Sequence, residues 1–179
     1  MRTQKAIINS ISSLVLQIIT IGCGFILPKM ILMGFGSEIN GAATSIAQFL
    51  GYISLLEAGV GGVTRAALYK PLASKNYAKV SGISNATQVF FKKITYIFLI
   101  YTILLASGFN YISRTKLDWW YVFTLVIIIS MSTAVQYYFG ITYSLILQSD
   151  QRGYVSNFIQ IVIVLLNTFI TVILIKANM

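Results

Sequence analysis

Histidine is absent from this 179-residue sequence, cysteine occurs once, and carboxylates occur four times, as Glu38, Glu57, Asp118 and Asp150. Each scarcity excludes a chemistry. One cysteine cannot close an internal disulfide, and a lone thiol without histidine cannot build a zinc site. Triads that pass a proton through imidazole are excluded too. Charged residues of both signs make up only 9% of the chain, against 57% hydrophobic, with a mean hydropathy of +0.81. A soluble domain is about one quarter charged, so this chain has too few charges to coat a water-facing surface. Soluble catalysis is excluded on that ground, and no enzyme activity, cofactor or metal is expected. The net charge is +9, but the basic residues are spread thinly along an apolar chain and form no patch for nucleic acid. Membrane topology explains them better.

What the chain has instead is long apolar runs. Crossing the hydrocarbon core takes about 20 mostly apolar residues in a helix, and five stretches qualify: about 6–33, 40–63, 90–109, 119–147 and 154–175. Nothing alternates with the period of two that barrel strands need. In lipid the backbone must satisfy its own hydrogen bonds, so these runs become helices. The expected fold class is all-α, a polytopic membrane protein with about five transmembrane helices. The first stretch is too long and too polar for a signal peptide and lacks a small-x-small cleavage site, so it reads as a retained helix.

Basic residues give the spans a direction. With a cytoplasmic N-terminus, Arg2, Lys5, Arg65, Lys70, Lys75, Lys79, Lys92, Lys93 and Arg152 lie inside, and Lys29, Arg114, Lys116 and Lys176 outside, nine against four. That follows the positive-inside tendency and puts Trp119, Trp120 and Tyr121 at the outer interface. A basic cytoplasmic loop is expected over 65–93. In it Pro71 marks a helix start, and Leu72, Val80 and Ile83 suit a short helix on the inner leaflet or a solvated connector.

The second span does not stop at the expected membrane edge. From Asn40 to Tyr69 an unbroken helix is about 45 Å long, against a core of about 30 Å. It must protrude or bend at Gly59, Gly61 and Gly62. Glu57 and Arg65 flank those glycines and are about 12 Å apart along an unbroken helix, too far to pair directly. Two readings stand: a polar gate or anionic-headgroup contact at the cytoplasmic mouth, or two interfacial side chains snorkelling to water. In the first span Asn9, Ser13, Gln17, Thr20 and Gly24 share one face. In the fifth, Asn157, Gln160, Asn167 and Thr171 do so, and the second adds Ser45 and Gln48. Such stripes either line a hydrated path or join helices. The third span has no polar stripe and is expected to face lipid. Pro28 reads as a hinge or as an end-of-helix proline. The aromatics Tyr137, Tyr138, Phe139 and Tyr143 either stack on a sugar or pack, and Cys23 reads as a small packing residue.

Three segments carry a family resemblance: Ala6-Ile-Ile-Asn-Ser leading to Pro28-Lys-Met-Ile-Leu, then Phe35-Gly-Ser-Glu-Ile-Asn-Gly, then Gln48 to Ala73 with its Glu-Ala-Gly-Val-Gly-Gly-Val-Thr-Arg core. Over residues 1 to about 95 the chain resembles the N-terminal part of Wzx-type polysaccharide flippases, in the superfamily of multidrug (MATE) and lipid II exporters. Beyond that it matches in span pattern alone. The resemblance implies a two-lobed transporter of undecaprenyl-pyrophosphate-linked oligosaccharide in the bacterial cytoplasmic membrane, working by alternating access. Its cavity places a basic residue against the pyrophosphate, which here falls on Arg65, with Glu57 as gate partner. Gln48, Gln17 and Asn9, from the polar stripes, are further candidates for substrate binding or gating. The implied partners are the lipid-linked oligosaccharide and membrane lipids. The spans present suit part of one lobe, so an incomplete N-terminal lobe, or association with a second lobe or another chain, is expected. A MATE-type drug exporter and a non-transporting envelope-assembly subunit or remnant are the rivals. An arginine at the mouth disfavours cationic drugs, and the short outer loops disfavour an integral enzyme.

Overall fold

Helices alone let a single apolar segment satisfy its whole backbone in lipid, and the computed structural model, which describes residues 2–113 and 116–178, contains no strand among them. Its elements are α1 (Arg2–Gly51), α2 (Ile53–Ala73), α3 (Tyr77–Ser113), α4 (Trp119–Val135), a π-helical turn (Gln136–Gly140), α5 (Ile141–Ser149) and α6 (Gly153–Asn178). Arg114, one of the outer basic residues, lies outside the described residues. Four helical stretches are long and apolar enough to cross a membrane: Gln4–Ala73, Tyr77–Ser113, Trp119–Ser149 and Gly153–Ala177. The first holds two of the expected spans, and regular helix is interrupted between them at Gly36 (φ 85°, ψ 173°). A positive φ of that size suits glycine alone. Pro28 is not the break, because helix continues on both sides of it. The protein is therefore an all-α protein with the character of a multi-pass membrane protein.

Two compact units form, one from residues Met1–Asn40 with Asp150–Met179 and one from Gly41–Ser149. In the first, α1 and α6 run parallel. Asn9 Oδ1 accepts the Tyr154 N–H at 2.7 Å, and Asn157 Nδ2 donates to the hydroxyls of Ser12 and Ser13, both at 2.9 Å. Toward the other end a Cβ on Gly34 would stand 2.8 Å from Ile175 Cγ2. Asp150 pairs with Arg152 at 2.7 Å and reaches Lys5 at 4.0 Å. The polar stripe of the first span thus serves helix pairing at Asn9 and Ser13, as small and hydroxyl residues do in membrane helices.

In the second unit the end of α1 and all of α2 run antiparallel to α3. Tyr101 Oη donates to Phe49 O at 3.1 Å, and the Thr64 and Thr87 hydroxyls meet at 3.4 Å. Helices α3 and α4 are antiparallel as well. Trp119 Nε1 donates to Ser107 O at 3.3 Å, and at the far end Lys92 Nζ lies 5.1 Å over the Tyr138 ring. The expectation that the third span faces lipid is overturned. Its buried residues, Phe91, Ile94, Thr95, Phe98, Thr102, Leu105, Ala106 and Phe109, make it the most embedded helix of this unit. Their three- and four-residue spacing is a packing face. Membrane helices associate by close contact, so a stripe need not be polar to be an interface.

The expected loop over 65–93 is also corrected. It is helical except for the turn at 74–76. Pro71 lies near the end of α2 rather than at a helix start. The Lys75 N–H bonds Leu72 O and the Asn76 N–H bonds Pro71 O, while Lys75 takes φ 52°. That is a Schellman end with lysine in the left-handed position. Asn76 Oδ1 then accepts the Lys79 N–H at 3.1 Å, capping α3. No short separate surface helix exists: α3 carries both that segment and the third span.

These contacts fix the levels of the unit. From the Lys92–Tyr138 level to Asn110, whose Nδ2 donates to Leu117 O at 3.4 Å, is about 27 Å along α3, close to the hydrocarbon thickness of about 30 Å. The second half of α2, the start of α3 and α5 beside them lie on the other side of the Lys92–Tyr138 level.

Candidate functional site

Helix α2 passes Gly59, Gly61 and Gly62 without a break, so the sequence alternative of a bend there is not taken. At Gly61 α5 lies close: a Cβ there would stand 3.4 Å from Leu145 Cδ2. With no side chain between them, the two helices lie close together and their polar side chains meet at either end of the contact.

Glu57 and Arg65 do not pair with each other. Tyr137 Oη donates to Glu57 Oε2 at 2.8 Å. Tyr137 belongs to the π turn, is only 4% exposed, and packs its ring 6.0 Å from that of Phe91. A π turn inserts a residue into the helical repeat and re-aims the side chains after it, and such turns often occur at functional sites. Two turns further along α2, Arg65 Nη1 donates to Gln148 Oε1 at 2.7 Å, and Gln148 Nε2 donates to Ser144 Oγ at 3.1 Å. Glu57 and Arg65 are both half-buried. The Arg65 partner is a neutral amide, and among the described residues no carboxylate forms an ion pair with Arg65. Its positive charge is held in place but not neutralised. Guanidinium carries five N–H donors in a fixed fork suited to phosphate.

The other expected site residues fall differently. Gln48, Glu57 and Arg65 belong to the second unit, and Gln48 is exposed. Asn9 and Gln17 belong to the first unit. Asn9 caps the start of α6 and donates to Gln151 O at 3.1 Å, and Gln17 is exposed. Sequence reasoning missed Gln148 and left Tyr137 among a run of aromatics. Tyr138, Phe139 and Tyr143 behave unlike Tyr137: Tyr138 meets Tyr96 and Lys92, and the other two are exposed. Among the described residues no three Cys, Asp or Glu side chains come together to hold a metal ion.

Comparison with protein-family models, with curated proteins and with solved structures found no match to this chain.

Proposed function

We propose that this chain acts in the transport of lipid-linked oligosaccharide, an undecaprenyl-pyrophosphate-linked repeat unit, across the bacterial cytoplasmic membrane for polysaccharide biosynthesis. It does so without covalent chemistry. The observation that carries this reading is Arg65, a cation fixed by an uncharged amide beside the boundary of the membrane-spanning helices. A pyrophosphate offers the charge and the acceptor geometry that this guanidinium lacks. The Glu-Ala-Gly-Val-Gly-Gly-Val-Thr-Arg resemblance points to the same residue.

Glu57, on the same helix and bonded to Tyr137, is the companion element. A carboxyl held by a phenol on a π turn is a contact that can open and close as helices shift, which suits a gate for alternating access. The orientation belongs to the same proposal. The N-terminus is cytoplasmic, so the basic extension of α2 and α3 faces the side on which lipid-linked precursors are made. Within each unit the helix directions are compatible with this reading: α1 and α6 run parallel in one, and α3 opposes α2 and α4 in the other.

The test is made in cells that carry this chain. Arg65→Ala should lower surface polysaccharide and leave lipid-linked oligosaccharide in the inner leaflet, and Arg65→Lys should retain part of the export. Unchanged export with Arg65→Ala contradicts the assignment. Altered resistance to organic cations, with export intact, favours the drug-exporter alternative.

A further inference from the structure

A second feature of the Gly41–Ser149 unit lies away from Glu57 and Arg65. A groove of about 540 Å³ runs between α3 and α4, within the range of about 300–1,000 Å³ typical of small-molecule sites. Leu99, Thr102 and Ile103 line it from α3, Ser130 and Met131 from α4, and Tyr138 closes one end. Two of its hydroxyls are turned away: Thr95 Oγ1 donates to Phe91 O at 2.9 Å and Ser130 Oγ to Ile127 O at 2.8 Å. A third, Thr102 Oγ1, is buried and has no hydrogen-bond partner among the described residues. The rest of the lining forms an apolar trough. It is open along its side, where Ile103 and Met131 are exposed.

The trough has a direction. From Thr95 to Ile103 it follows α3 for about 12 Å. Lys92 stands one turn before Thr95, its Nζ over the Tyr138 ring, and exposed Lys93 is its neighbour. Among the described residues neither lysine forms an ion pair with a carboxylate. An apolar trough that ends at a cation without a counter-charge, at the boundary level of the helices, matches an amphiphile with an anionic head. A neutral lipid leaves the cation unused.

We propose that this groove holds one acyl chain of an anionic glycerophospholipid whose phosphate meets Lys92. The proposal does not depend on what the protein transports. Its test uses the full chain, purified in detergent, offered equal amounts of phosphatidylglycerol and phosphatidylcholine, with retained lipid read by native mass spectrometry. The wild-type chain should retain phosphatidylglycerol preferentially. Lys92→Gln should reduce that preference about fivefold, the effect of one lysine near anionic lipid, and Lys92→Arg should keep it. Met131→Trp, a change at an exposed lining position, should lower retention of both lipids. Lys79→Gln, in the extension beyond the boundary, should leave the pattern as it is. Equal retention of the two lipids by the wild-type chain overturns the proposal, and so does a preference that Lys92→Gln leaves intact. The Lys92 comparison decides even where Met131→Trp fails to fold.

Discussion

Glu57 and Arg65 were visible in the sequence because so few charges interrupt its apolar runs. Their partners were not, since Tyr137 lies 80 residues from Glu57 and Gln148 lies 83 from Arg65. No periodicity marks a π turn, so nothing in the run Gln136-Tyr-Tyr-Phe-Gly distinguished the one tyrosine that faces Glu57. The spacing argument against a direct Glu57–Arg65 pair did hold, because rise per residue is fixed once the helix is unbroken. At this scale the Tyr137–Glu57 bond makes a plain prediction. Tyr137→Phe removes the donor and should destabilise the protein by about 1–3 kcal/mol, the range for a hydrogen bond to a charged or buried partner. Glu57→Gln keeps an acceptor and should cost less. Thermal unfolding in nanodiscs measures both, and an unchanged midpoint for Tyr137→Phe would mean the bond contributes nothing.

At the scale of elements, the uncharged part of α3 was legible and its start was not. The segment before Ile94 is basic and polar, so hydropathy reads it as loop. Helix there is held by local signals: Asn76 capping α3, and the left-handed turn at Lys75. Asparagine before a helix is a readable cap. A lysine doing what glycine usually does at a helix end leaves no trace in composition. The packing role of α3 was hidden for a related reason. Its face is built of Phe, Ile, Leu and Thr, residues that suit lipid and a neighbouring helix equally well. Amide exchange separates the two pictures of residues 58–92. Protection should extend along both helices and across the turn between them, where the Ser74, Lys75 and Asn76 N–H groups bond Lys70 O, Leu72 O and Pro71 O. Uniform fast exchange from 65 to 93 is the loop pattern and would contradict the helical hairpin.

For the whole molecule, membrane character followed from the charge deficit alone, and helix from the demands of the lipid on the backbone. How the spans group was beyond composition. The pairing of α1 with α6 rests on single contacts such as Asn9 to the start of α6, 145 residues away. The direction of the chain rests on the basic residues, and it can be checked in intact cells. A cysteine at Lys75 should resist a membrane-impermeant thiol reagent, and one at Lys116 should react, with Cys23 replaced by alanine in both. Reaction at 75 with protection at 116 reverses the topology.

The functional proposal turns on whether Arg65 meets a pyrophosphate, and binding of undecaprenyl-pyrophosphate-linked oligosaccharide to the purified chain in nanodiscs tests that directly. Arg65→Ala should weaken binding about tenfold or more, the loss expected for a charge-assisted hydrogen bond, with Arg65→Lys in between. Equal binding by the wild-type and Arg65→Ala chains would contradict it.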